Sequence, residues 1–198
     1  MYQVIGTLKS RTLRVLWMLE ELGLTYEHIK AGPRSDEARA LNPSGKVPVL
    51  VCPDGVLTDS TAILTYLADN YKSFTYPAGT MARAKQDSLT HFILDEMDGT
   101  LWTAARHTFV LPEEQRRPEV KDSLRWEFAR SLTTLERRLG DGKFLMGSEM
   151  TVPDIIAAHC LSWAMSANFP VEQPTLLDYH KRMTTRPAYL RMISRATS

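Results

Sequence analysis

Ser10-Arg11-Thr12-Leu13-Arg14-Val15-Leu16-Trp17-Met18-Leu19-Glu20-Glu21-Leu22-Gly23 is the stretch whose reading decides the fold. Val15, Met18, Leu19 and Leu22 recur at helical spacing, so the stretch is a helix. Leu13, Leu16 and Trp17 widen the apolar stripe beyond one face, which predicts a helix covered on two sides, by a sheet and by something else. Gly23 stands where helices stop. Tyr2 to Ile5 and Tyr26 to Ile29 flank it as short strands. Strand, helix and strand in one sheet make a right-handed parallel crossover.

Outward from this unit, Asp36 to Leu41 allows a short helix that ends at Asn42-Pro43. Val47 to Val51 and Val56 to Thr58 form an antiparallel hairpin around the turn Pro53-Asp54-Gly55. Pro48 cannot donate to a ladder, which demotes that strand or marks a special position. A helix begins near Asp59 with Ile63, Tyr66, Leu67 and Tyr71 on one face. Residues 73–80, with Pro77 and Gly79, lack periodicity and read as a linker. The rest reads as helices over 81–107, 118–139, 151–167, 174–184 and 187–196. The helix at 151–167 carries Asp154 as its only charge, so it forms the buried centre of a second domain. Thr151 and Asp154 have capping-box spacing.

Composition narrows the functional classes. The 198 residues carry 24 basic and 23 acidic side chains, and the near balance offers no electrostatic footprint for nucleic acid or an anionic membrane. Cys52 and Cys160 are too few and too far apart for a disulfide scaffold. The histidines lack metal-ligand spacing, so no metal is expected. The N-terminus reads as a strand rather than a signal peptide, and no apolar run reaches membrane-spanning length, which points to the cytoplasm.

Three local signals carry chemistry. Ser10 lies at the N-terminus of the first helix, where a hydroxyl either caps the helix or donates to an anion. Pro48 opens a buried strand after Lys46-Val47. It is either an edge-strand proline or a cis proline, and in the cis case Val47 presents its N–H and C=O to a peptide. Asp59-Ser60 starts the next helix, either as an ordinary cap or as a grip on a group bearing both amine and carboxylate. Together they describe a site for a short thiol peptide.

In order and spacing these segments resemble bacterial glutathione transferases. Residues 10–23 resemble that family's first-helix signature. Asn42-Pro43-Ser44-Gly45-Lys46-Val47-Pro48-Val49-Leu50 and Leu57-Thr58-Asp59-Ser60-Thr61-Ala62-Ile63-Leu64-Thr65-Tyr66-Leu67 resemble its two further glutathione-site segments. Thr151 to Asp154 resembles the capping box of its central C-terminal helix. The resemblance implies an α/β thioredoxin-like domain of order βαβ-α-ββα, here residues 1–72, and an all-α domain, here residues 81–198. It implies that Val47 pairs with the cysteinyl part of glutathione, that Pro48 is cis, and that Lys46 lies near the glycyl carboxylate. Asp59 and Ser60 would hold the γ-glutamyl end, and Ser10 would face the sulfur, with Lys9, Arg11 and Thr12 as neighbouring donors. Family members usually carry Glu at the position of Asp59. A homodimer is also implied.

No cysteine occurs in residues 6–14, where disulfide-reducing relatives keep their nucleophile. Glutathione's own thiolate is therefore the expected nucleophile, attacking small apolar electrophiles in a detoxifying conjugation. Two other readings fit the scaffold: a transferase-like binding or assembly module without turnover, and a specialised glutathione-dependent lyase, isomerase or peroxidase.

Overall fold

In the computed structural model, which describes residues 1–197, the chain divides into two compact units. The first comprises Met1–Pro77 together with the residues from Met183 onward, and the second is Ala78–Arg182. The first unit holds β1 (Tyr2–Ile5), α1 (Thr12–Glu21), β2 (Tyr26–Ile29), α2 (Asp36–Leu41), β3 (Val49–Cys52), β4 (Gly55–Thr58), α3 (Ser60–Tyr71) and, from the far end of the chain, α9 (Pro187–Thr197). The strand order is β2-β1-β3-β4, with β1 parallel to β2 and β3 antiparallel to both β1 and β4. This is the thioredoxin-like order. The third strand begins at Val49 rather than Val47, since Pro48 has no N–H to give a ladder.

Val15 to Leu19 on α1 are closed to solvent. That helix packs on β1, α3 and α9, so the second cover that its apolar faces demand is the last helix. Gly23 takes a φ of +66° just past α1, and Leu24 N–H reaches back to Leu19 O at 2.9 Å, the left-handed helix stop that glycine adopts without a Cβ clash. The sequence reading places everything from 81 to 198 in the helical domain, whereas α9 packs with the first unit. Ion pairs fix it there. Arg186 grips Glu21 with Nε and Nη2 at 2.6 and 2.8 Å, and Arg191 and Arg195 reach Glu20 at 3.1 and 2.9 Å. Trp17 meets Tyr189 edge-on at 4.8 Å between ring centroids.

The second unit contains α4 (Met81–Phe92), α5 (Gly99–Ala105), α6 (Val120–Leu139), α7 (Val152–Ser166) and α8 (Pro174–Thr184), whose last residues pass into the first unit. The helix expected over 81–107 is interrupted: π-helical turns occupy Ile93–Asp98 and Arg106–Val110. Thr100, Thr103 and Thr108 donate to the carbonyls four residues back, a competition with the ladder that bends helices. An extra residue in one turn is invisible to a 3.6-residue count. The start of α7 is the capping box read from the sequence, and Asp154 within it is fully buried. It accepts from Thr151 N–H (2.8 Å), Thr151 Oγ1 (3.0 Å), Leu145 N–H (2.9 Å) and the Tyr179 hydroxyl (2.8 Å). Burial pushes its pKa up, and the four donors pull against that rise. Among the described residues no helix is long and apolar enough to cross a membrane.

Candidate functional site

The register of the sheet brings the sequence signals to one end of the first unit. Ile5 pairs with Ile29 and Val49, and Val49 pairs with Thr58, so these four residues form one row across the sheet. Immediately beyond that row lie the Gly6–Arg11 loop, Val47-Pro48, and Asp59 with Ser60. Adjacent strands stand about 4.8 Å apart, so the stretch from Ile5 through Val49 to Thr58 is about 10 Å wide. An extended tripeptide has about the same length.

Ser10 sits in the loop ahead of α1, half-buried. Its hydroxyl donates to Thr7 O at 2.7 Å, lies 2.8 Å from Thr12 Oγ1, and accepts from Thr12 N–H at 3.2 Å. The side chain therefore secures the helix entry, the role that a cap reading assigns it. Arg11, in the cap position by backbone, makes no side-chain cap bond. Gly6 makes room for the loop: its φ is +151°, and a Cβ there would overlap the Thr12 side chain.

The Val47–Pro48 bond is cis. Val47 is half-buried, and among the described residues no hydrogen bond engages its N–H or C=O. Lys46 is exposed, and its backbone is held inside its own loop by Asn42 Nδ2 at 2.9 Å and Ser44 Oγ at 3.3 Å.

Asp59 takes the cap role, one of the two readings made of it. Its φ is +72°, a conformation that a residue other than glycine keeps only where the surroundings impose it. Oδ1 caps α3, accepting from Thr61 and Ala62 N–H at 2.9 and 3.0 Å. Oδ2 takes no hydrogen bond from the described residues. The cap also removes two of the backbone donors expected for a ligand carboxylate, leaving the N–H and hydroxyl of Ser60. That residue is 2% exposed, so a carboxylate reaching it would be largely dehydrated and its hydrogen bonds correspondingly strong.

Sequence reasoning missed Arg14. It lies on α1, is fully buried, and points Nη1 at Ser60 Oγ from 3.4 Å. The signal was present in the helix itself: a stripe that is apolar nearly all round leaves an arginine no solvent face.

The Glutathione S-transferase N-terminal domain family matches residues 10–70, and the Glutathione S-transferase C-terminal domain family matches residues 100–187, together about three quarters of the chain. The chain belongs to the glutathione S-transferase family. Human glutathione S-transferase theta-2B is 30% identical over 145 residues, 67% of this chain and 57% of that protein's length. This chain thus spans little more than half of that relative. The crystal structure of a glutathione transferase from Methylococcus capsulatus superposes with a TM-score of 0.85 at 25% identity, over 100% of this chain and 99% of that one. Glutathione transferase URE2P8 from Phanerochaete chrysosporium, solved with oxidized glutathione, gives a TM-score of 0.84 at 25% identity over 99% and 95% of the two chains.

Proposed function

We propose that this protein binds glutathione across the end of its sheet and activates the thiol for attack on small apolar electrophiles. Val47 N–H and C=O pair with the cysteinyl residue. Lys46 faces the glycyl carboxylate. Asp59 Oδ2 takes the γ-glutamyl ammonium, and Ser60 donates to the α-carboxylate beside it. The hydroxyl of Ser10 and the N-terminus of α1 favour the thiolate over the thiol. The thiolate then forms a bond to an electrophilic carbon, and the displaced group leaves with its electron pair, or a proton is taken up where the electrophile is a double bond. A free cysteine thiol has a pKa of about 8.5, and lowering it by two units requires about 2.7 kcal/mol of preference for the anion. The Ser10 hydroxyl, on turning from Thr7 O to the sulfur, contributes about 1–1.5 kcal/mol of that, and the helix N-terminus up to about 2 kcal/mol.

The observation that carries this reading is the single row Ile5, Val49, Thr58, from which all three ligand-gripping segments emerge. We also expect a homodimer, as the family resemblance implies, and a cytoplasmic location. A panel of electrophiles assayed with glutathione tests the proposal. Conjugation of aryl halides or enals supports it. Glutathione binding without turnover of any electrophile would replace it with the assembly-module reading, and turnover confined to one elimination, isomerisation or peroxide reduction with a specialised enzyme.

A further inference from the structure

Arg14 stands apart from the rest of the buried set. A buried guanidinium is tolerated only where its charge and donors are engaged. Arg14 is fully buried on α1, between Leu13 and Val15, and it spans from α1 to the first residue of α3. Its Nη1–H donates to Ser60 Oγ at 3.4 Å.

That direction of donation matters. A hydroxyl has one proton and two lone pairs. With one lone pair engaged from behind by a cation, the Ser60 proton is turned to other acceptors, and the O–H is polarised into a stronger donor. A carboxylate hydrogen-bonded to Ser60 Oγ would lie about 2.7 Å further on, so the guanidinium would stand within about 6 Å of it, separated by buried side chain rather than water.

We propose that Arg14 is a positioning residue for the ligand carboxylate, acting through Ser60: it fixes the serine as a donor and sets a positive charge behind it. The inference rests on the reading of Ser60 as the site of the γ-glutamyl α-carboxylate. It makes recognition of that carboxylate the work of a buried side chain on a different helix from the one that touches it.

The test compares glutathione with its analogue in which the γ-glutamyl α-carboxylate is replaced by hydrogen, with binding measured by calorimetry. The selectivity of interest is the ratio of the two dissociation constants. Arg14→Gln keeps a donor and removes the charge. It should lower the selectivity about tenfold, about 1.4 kcal/mol, by weakening glutathione alone. Arg14→Lys keeps the charge but lacks the planar fork, and should lower selectivity only two- to threefold. This second variant serves where the glutamine variant fails to fold. Equal weakening of both ligands in either variant marks a purely structural arginine and overturns the inference. So does unchanged selectivity while Ser60→Ala abolishes it. If Ser60→Ala itself leaves selectivity untouched, the reading of the carboxylate site fails first, which separates the two failures.

Discussion

Replacing Ser10 with alanine should separate two roles that one hydroxyl holds. Its single proton is donated to Thr7 O at 2.7 Å. To meet a thiolate, that proton must leave the carbonyl, so the stabilisation available is the difference between two bonds. A hydrogen bond to a charged group contributes about 1.5–3 kcal/mol and a neutral one about 0.5–1.5. The difference is about 1–1.5 kcal/mol, close to one pKa unit. Ser10→Ala should therefore raise the pKa of bound glutathione's thiol by about one unit. Thiolate absorbance of the binary complex, titrated in the ultraviolet, reads this directly. Initial rates of conjugation should fall about tenfold at pH values below both pKa values, and converge with the parent's as pH rises past them. The affinity for glutathione should barely change. Thr12 N–H also loses its acceptor, so stability should drop by about 1 kcal/mol, as for a lost helix cap. Superimposable thiolate titrations for the two proteins would refute the assignment and move the thiolate donor to Arg11, Thr12 or a backbone N–H.

Gly6→Ala should destabilise the first unit by about 2–5 kcal/mol in urea unfolding, because a Cβ meets the buried Thr12 side chain and φ is unfavourable for alanine. Asp154→Asn should lose about 2–4 kcal/mol by the same measurement, since an amide NH₂ must face one of the N–H donors of Leu145 or Thr151. Burial lowers the pKa of His180, whose Nε2 lies 2.7 Å from Ser162 Oγ. The unfolded chain therefore binds a proton more readily than the folded one. Stability should hold above about pH 6.5 and decline below it, by at most about 1.4 kcal/mol per pH unit, until the folded histidine also titrates. Thermal melts of His180→Gln should show a flatter pH dependence across that window.

Much of the candidate site was legible because its chemistry is punctuation. Ser10, Pro48 and Asp59-Ser60 each stand where an element starts, and helix starts and strand-opening prolines are written in a few adjacent residues. Hydrophobic spacing recovered the strands and most helices on the same local grounds. What the sequence withheld was non-local. Arg14 and Ser60 are 46 positions apart, and nothing in either neighbourhood names the other. Glu20 and Glu21 look like the solvent-facing end of a helix until three arginines more than 160 residues away arrive to neutralise them. The cap formed by Asp59 was anticipated, but its capture of two backbone donors depends on a backbone angle that no composition reveals. The π turns in the long helix were hidden because they change the period only within single turns.

Because α9 returns to the first unit, that unit is not a segment that a ribosome can finish early. At about 5–20 residues per second, synthesis of the stretch from Pro77 to Arg191 takes roughly 6–23 s. During that interval Glu20, Glu21 and one side of Trp17 have no α9 against them. The second unit can complete its helices first, although it is encoded later. Expression of residues 1–77 alone would leave one flank of α1 and its acidic tip bare, and adding α9 as a separate peptide would measure how much stability that cover contributes.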